Sequence, residues 1–186
     1  MMGYHALVSG GMASVESKLP EISSLIVNCI FDNKNIWIIG NGGSASTADH
    51  FATDLSFIKS KEIKHRIGAI SLCSNTALLT AIANDIGFEN VFAHQLARLA
   101  NKGDICIFIS ASGNSQNLLT AFDIASKMDL TCIALLGFDG GALAKLADYA
   151  VIIETPIGEY GPVEDVHLSI CHQVSALVKN RLLQSS

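Results

Sequence analysis

Residues 35–55 read Asn35-Ile36-Trp37-Ile38-Ile39-Gly40-Asn41-Gly42-Gly43-Ser44-Ala45-Ser46-Thr47-Ala48-Asp49-His50-Phe51-Ala52-Thr53-Asp54-Leu55. The apolar run 36–39 predicts a buried strand, which is followed by a glycine-rich turn with a serine and then by a segment of helical period. A strand, a loop and a helix in this order present free backbone N–H groups to an anion. On the helix, His50 and Asp54 lie one turn apart on one face. This pattern is typical of an enzyme that acts on a phosphorylated small molecule.

Composition excludes several classes of protein. The chain has 186 residues, of which 49% are hydrophobic, and a net charge of −5, which disfavours binding to nucleic acid or to an anionic membrane. No apolar run approaches the roughly 20 residues of a membrane span. The first ten residues lack the basic region of a signal peptide. The five cysteines are widely spaced and odd in number, so we expect buried, reduced thiols and a cytoplasmic protein.

Apolar strands alternate with helices along the chain. This alternation predicts an α/β fold, a single domain over 1–186 with a five-stranded parallel sheet flanked by helices on both faces, a flavodoxin-like three-layer sandwich. We expect a long N-terminal helix over 13–32 that starts or kinks at Pro20, a sheet core over 35–153 and a C-terminal helix over 163–183. The predicted strands are 36–39, 67–72, 105–109, 131–136 and 150–153. The predicted helices between them are 44–57, 75–84, 88–100, 115–128 and 140–147.

Hydroxyl groups cluster after the third predicted strand. The segment Ser110-Ala111-Ser112-Gly113-Asn114-Ser115 joins that strand to a helix, and binding sites of open α/β sheets lie at the carboxyl ends of the strands. Three hydroxyls and the N–H groups of a helix start can hold a phosphate without a cation. The alternative is that Asn114 or Ser115 only caps the helix. We interpret the cluster as a phosphate site.

The first glycine-rich loop has a second interpretation. Gly40-x-Gly42-x-x-Ala45 fits a dinucleotide-binding fingerprint, which needs an acidic residue near the end of the second strand to bind the ribose. That strand ends Ser71-Leu72-Cys73-Ser74, without a carboxylate. The sequence therefore disfavours NAD binding.

Two sets of histidines and carboxylates lie on separate predicted helices. His50 and Asp54 form one set, and the last helix carries Glu164, Asp165 and His172. Together they could form a four-ligand metal site. The alternatives are a surface ion pair for the first set and a solvated first turn of the helix for the second.

At these residues the chain resembles the sugar isomerase (SIS) domain family and, within it, the phosphoheptose isomerases. The matching segments run in order over nearly the whole chain. They are Gly40-Asn41-Gly42-Gly43-Ser44-Ala45, Ala48-x-His50-Phe51-Ala52-x-x-Leu55, Ala83-Asn84-Asp85-x-Gly87-Phe88, Ile109 to Ser115, Gly137-x-Asp139-Gly140-Gly141, Glu164-Asp165-x-His167 and His172. The resemblance implies a homotetramer with sites shared between subunits.

The resemblance also implies an activity and a site. The implied reaction is the aldose–ketose isomerisation of sedoheptulose 7-phosphate to D-glycero-D-manno-heptose 7-phosphate for surface-polysaccharide synthesis. Asp54 and His172 would be the catalytic residues, and one zinc ion per subunit would be held by His50, Asp54, Glu164 and His172. The implied substrate contacts are Asn41, Gly42, Gly43, Ser44, Asn84, Asp85, Ser110, Ala111, Ser112 and Ser115.

The chain departs from the family pattern at several positions. Asp54 stands where the family has a glutamate, Glu164 where it has a glutamine, and Ile58 where it has an arginine that binds substrate. Residues 158–163 also lack the family's aspartate and arginine. The alternative function is that of a non-catalytic SIS protein that binds a phosphosugar or a partner, as the replication-initiator-associating relative does. That relative lacks the terminal histidine, which is present here as His172.

Overall fold

Five parallel strands form the centre of the protein. The computed structural model describes residues 3–58 and 63–185, so residues 1–2, 59–62 and 186 of the predicted domain lie outside the described part of the chain. The strands pair in the order β2-β1-β3-β4-β5, and every pair is parallel. Their bounds are β1 Asn35–Gly40, β2 Gly68–Ser71, β3 Ile105–Ser110, β4 Thr131–Gly137 and β5 Tyr149–Ile153. The predicted α/β fold is confirmed, with each strand boundary within one residue.

Helices cover both faces of the sheet, which is why the strands are continuously apolar rather than alternating. All six residues of β3 are buried. One apolar cluster joins the sheet to α1, α2, α3 and α8, and the other joins it to α4, α5, α6 and α7. The helices are α1 Tyr4–Val15, α2 Leu19–Phe31, α3 Gly43–Ser56, α4 Thr76–Asp85, α5 Ala93–Leu99, α6 Gln116–Lys127, α7 Leu143–Leu146 and α8 Tyr160–Gln184. None of these helices is long and apolar enough to cross a membrane.

Two predicted helices are divided in the structure. The expected helix 13–32 corresponds to the end of α1, a 3-10 turn, Glu16–Lys18, and α2. The helical region also begins earlier than expected, because α1 starts at Tyr4. Pro20 lies in the first turn of α2, where the missing N–H costs no helical hydrogen bond. The expected helix 88–100 is likewise a 3-10 turn, Phe88–Asn90, followed by α5. The prediction over 140–147 is reduced to the single turn of α7.

A buried carboxylate fixes the amino-terminal edge of the sheet. Asp104 is 1% exposed and accepts hydrogen bonds from the backbone N–H groups of Asn35 and Asn101, each at 2.9 Å. It also accepts one from the indole Nε1 of Trp37 at 2.8 Å. A buried charge is tolerated when its oxygens are hydrogen-bonded in this way. These contacts hold the start of β1 beside the start of β3. In the sheet, β2 lies on the other side of β1, and β4 and β5 lie beyond β3.

A fully buried histidine lies on the inner face of α8. Neither ring nitrogen of His167 has a hydrogen-bond partner among the described residues. Burial lowers the pKa of His167 to about 4, and the nearby backbone of Leu136 offsets this only in part. The side chain is therefore neutral in the folded protein at pH 7.

We predict that this histidine makes the fold sensitive to mild acid. Between pH 6.5 and about 4 the unfolded chain binds a proton at His167 that the folded chain does not, so the free energy of unfolding falls as the pH falls. The full loss is about 3 kcal/mol. Urea denaturation at pH 7 and pH 4.5 measures it. His167→Leu removes the titrating group and should show a smaller loss; an equal loss in both proteins would contradict the prediction.

Candidate active site

The serine-rich loop after β3 forms a cradle of hydroxyl and N–H groups. Ser110 Oγ accepts a hydrogen bond from Gly113 N at 3.0 Å, and Ser112 Oγ accepts one from Asn114 N at 3.3 Å. At the start of α6, the N–H groups of residues 115–117 have no partner within the described structure. Free N–H groups beside hydroxyls at a helix N-terminus suit a phosphate group.

This cradle opens into a cavity of about 180 Å³ at the carboxyl edge of the sheet, which is called the phosphate cavity after its predicted ligand. The cavity lies between β1 and β3, where the strand order reverses and ligands of open α/β folds bind. Its lining residues are Asn41, Ser44, Ile109, Ser110, Ala111, Ser112, Ser115, Tyr160 and Glu164. Seven of these are predicted site residues, so the two loops that were predicted separately meet at one place.

Asn41 and Asn117 join the two sides of this crevice. Their side-chain amides exchange two hydrogen bonds, each of 2.9 Å, between the loop after β1 and the first turn of α6. The sequence analysis did not identify Asn117, although an asparagine in the first turn after the serine loop is a signal that could have been used. It also missed Tyr160, whose ring packs edge-on against Phe138 at a centroid distance of 5.1 Å.

A second loop supports the serine loop from behind. Leu143 N donates to Gly113 O at 3.1 Å, and Ala142 N donates to Asn114 Oδ1 at 2.9 Å. Gly113 has φ +62°, and a Cβ at this position would collide with the carbonyl oxygen of Gly140. The close approach of the two loops therefore requires glycine here.

The histidines and the aspartate of the predicted metal site meet between α3 and α8. His50 Nε2 lies 2.9 Å from His172 Nε2 and 3.3 Å from Asp54 Oδ2, and His172 Nε2 lies 3.8 Å from the same oxygen. The side chains are 30–51% exposed, so the group is open to solvent. The shorter aspartate thus still reaches both histidines.

This group fits a divalent metal ion. Two imidazoles and a carboxylate are ligands that zinc commonly takes, and the three donor atoms lie within 4.8 Å of one another. Ligands at 2.0–2.1 Å from a tetrahedral ion are about 3.4 Å apart. The three observed separations, 2.9, 3.3 and 3.8 Å, bracket that value. Three protein ligands leave a position open, as catalytic zinc sites do.

The remaining predicted residues lie outside this metal group. Glu164 is not part of it; its carboxylate lies over Gly43, at the start of α3, within the phosphate cavity. Gly42 precedes α3 with φ +55°. Asn84 and Asp85 hydrogen-bond to each other at 2.8 Å at the end of α4 and do not line the phosphate cavity.

Comparisons with known proteins agree with this fold. The SIS domain family model matches residues 4–137. The chain belongs to the SIS domain family. It is 40% identical over 161 residues to a phosphoheptose isomerase of Helicobacter pylori, covering 87% of this chain and 82% of that protein. A phosphoheptose isomerase of Campylobacter jejuni is 35% identical over 174 residues, covering 94% and 92%.

A solved structure supports the same relationship. The phosphoheptose isomerase of Neisseria gonorrhoeae superposes on this SIS protein with a TM-score of 0.86 and 28% sequence identity. The match covers 95% of this chain and 93% of that one. It extends beyond residue 137, where the family model ends, and so includes α8 with His172.

We predict that Gly113→Ala damages the phosphate cradle. The collision with Gly140 and the unfavourable φ should together lower the free energy of unfolding by about 2–4 kcal/mol and weaken binding of inorganic phosphate. Gly158→Ala is the matched control, because Gly158 also has a positive φ but has open space around it. Urea denaturation and calorimetric titration compare the two variants. Equal losses of stability and unchanged phosphate binding would contradict the prediction.

Proposed function

We propose that this SIS protein isomerises sedoheptulose 7-phosphate to D-glycero-D-manno-heptose 7-phosphate in the synthesis of surface-polysaccharide heptose. The observation that carries the proposal is the meeting of His50, Asp54 and His172 on α3 and α8, the two helices whose first turns line the phosphate cavity. The relatives named above are phosphoheptose isomerases, and each of them aligns with most of this chain. A non-catalytic binding protein has no need for a preassembled group of two histidines and an aspartate. We therefore favour the hypothesis that the protein is an enzyme.

The phosphate end of the substrate would be held by the serine cradle. Ser110, Ser112 and Ser115 supply hydroxyls, and the start of α6 supplies N–H groups. Asn41 and Ser44 line the opposite wall, next to the sugar. Fixing the phosphate restricts the carbonyl carbon to the neighbourhood of α3 and α8.

Asp54 and His172 would carry the proton transfers. A divalent metal held by His50, Asp54 and His172 would polarise the oxygens at C1 and C2. Asp54 turns Oδ2 towards both histidines, while Oδ1 has no hydrogen-bond partner among the described groups. Oδ1 can therefore take the proton from the carbon next to the carbonyl and return it to the neighbouring carbon. His172, whose second ring nitrogen makes no hydrogen bond among the described residues, would move protons between the two oxygens.

The finer assignments follow from the resemblance. They are zinc as the metal, one ion per subunit, a homotetramer and a cytoplasmic location. The open position of the metal group on the protein surface is consistent with a site that a second subunit helps to cover.

His172→Ala tests the metal assignment. We expect zinc bound per subunit, measured by elemental analysis, to fall from about one to near zero, because one of three ligands is lost. Isomerisation should fall with it, while the circular dichroism spectrum stays the same. His94→Ala is the control, because His94 lies on α5 and pairs with Arg98. Unchanged zinc stoichiometry in His172→Ala would refute the ligand set.

Asp54→Asn tests the base. The amide keeps the size of the side chain and one ligand oxygen but cannot take a proton. We expect exchange of solvent deuterium into the substrate to fall by at least about 100-fold, at the low end of what a positioned base contributes. The measurement is made by NMR on variant protein that still binds zinc. Wild-type exchange rates in this variant would exclude Asp54 as the base.

A further inference from the structure

Asn117 is a buried amide in the first turn of α6. It is 2% exposed, and burying an amide is costly unless its N–H and C=O groups are hydrogen-bonded. In the described part of the chain its side chain is paired with Asn41, in the loop after β1. Asn117 Nδ2 donates to Asn41 Oδ1, and Asn41 Nδ2 donates to Asn117 Oδ1, each at 2.9 Å. The two amides therefore satisfy each other.

This pairing fixes the orientation of the Asn41 amide. A rotation of either amide by half a turn would set N–H against N–H and oxygen against oxygen. Each amide uses one N–H and one lone pair in the pairing, so Asn41 keeps a second N–H and a second lone pair for other partners. Asn41 lines the phosphate cavity, whereas Asn117 does not. Asn117 can therefore act on a ligand in that cavity through Asn41.

The amide pair also connects the two sides of the crevice. Among the described residues, no other side-chain hydrogen bond joins residues 41–44 to residues 110–117. The first segment lies next to the proposed sugar, and the second forms the serine cradle. Without Asn117, the Asn41 side chain would be free to change its rotamer, and a ligand would have to order it on binding.

We propose that Asn117 is a positioning residue for the sugar: it holds the Asn41 amide in one orientation, in which its second N–H and second lone pair meet hydroxyl groups of a polyol phosphate. Hydroxyl groups both donate and accept, so they match an amide that offers one group of each kind. Because the amide is already held, it loses little further freedom when the ligand binds. This inference rests on the proposed function, which places Asn41 next to the sugar, and deepens it.

A double-mutant cycle with Asn41→Ala and Asn117→Ala tests the proposal. The probes are inorganic phosphate and a heptitol 7-phosphate, a sugar phosphate that is reduced at its carbonyl and cannot be isomerised. Calorimetry gives each dissociation constant on proteins of equal metal content. We expect Asn117→Ala to weaken binding of the heptitol phosphate about tenfold, as the loss of one or two hydrogen bonds does, and to change phosphate binding by less than about twofold. In the Asn41→Ala background, Asn117→Ala should have less than about a twofold further effect.

Asn75→Ala is the matched control. Asn75 is also an asparagine whose side chain is hydrogen-bonded at the start of a helix, since its Oδ1 accepts from Leu78 N at 3.0 Å, but it does not line the phosphate cavity. It should lose stability in urea while both dissociation constants stay within about twofold of wild type. The comparison separates a general loss of stability from a loss of sugar binding.

The side-chain N–H signals of Asn41 in NMR spectra report on the pair directly. They are assigned by their absence in Asn41→Ala. We expect the heptitol phosphate to shift them in the wild-type protein and inorganic phosphate to leave them in place. This measurement needs no substitution at Asn117, so it decides the case even if Asn117→Ala does not fold. Signals of Asn41 that do not respond to the heptitol phosphate would overturn the proposal.

Three results of the cycle would also overturn it. They are equal weakening of both probes by Asn117→Ala, additive effects of the two substitutions, and wild-type protein that binds the heptitol phosphate no more tightly than inorganic phosphate. Because neither probe is turned over, these results do not depend on whether the protein isomerises sedoheptulose 7-phosphate. A failure of the proposed function appears instead as absent turnover with that substrate.

Discussion

The packing of α8 against α3 determines where both halves of the site lie. α8 buries a seam of apolar side chains against α1, α2 and α3 on one face of the sheet. Because each helical residue turns by a fixed angle, this seam also fixes the direction of the neighbouring polar residues. Glu164 then meets Gly43 at the start of α3, and His172 meets His50 further along. The two helices therefore run side by side in the same direction.

The serine cradle offers an anion hydroxyl and N–H groups but no cation among the described residues that line its cavity. The reversal of strand order between β1 and β3 brings the loop before α3 and the loop before α6 to one crevice. Hydroxyls and helix N–H groups offer partial positive charge there, enough for a phosphate but weak enough for other groups to modulate. The net charge of −5 adds no long-range attraction for an anionic substrate.

Local sequence patterns were sufficient to predict the strands and the two loops that follow β1 and β3. Continuous apolar runs predicted β1 and β3 because both faces of the sheet are covered, and the serine cluster predicted the cradle because its chemistry lies within six residues.

The N-terminal helices were misjudged because α1 has little apolar periodicity and packs through tertiary contacts. The four-ligand set was inferred from resemblance, and helix spacing alone could not show that Glu164 lies over Gly43. The buried His167 was seen only as part of a motif, since a sequence pattern does not reveal burial without a partner.

The parallel run of α3 and α8 also relates the site to the length of its substrate. From Gly43 to His50 the α3 axis rises about 10 Å. The extended carbon chain of a seven-carbon sugar spans about 8 Å, and the phosphate ester adds to this. If the proposed phosphate lies in the cradle, we expect the first two carbons of such a chain to extend along α3 towards His50 and His172. A five-carbon chain is shorter by two carbon–carbon bonds, about 2.5 Å along the chain, and we expect it to reach less far along α3. The rise of α3 between the two halves of the site is thus comparable to the length of the proposed heptose phosphate.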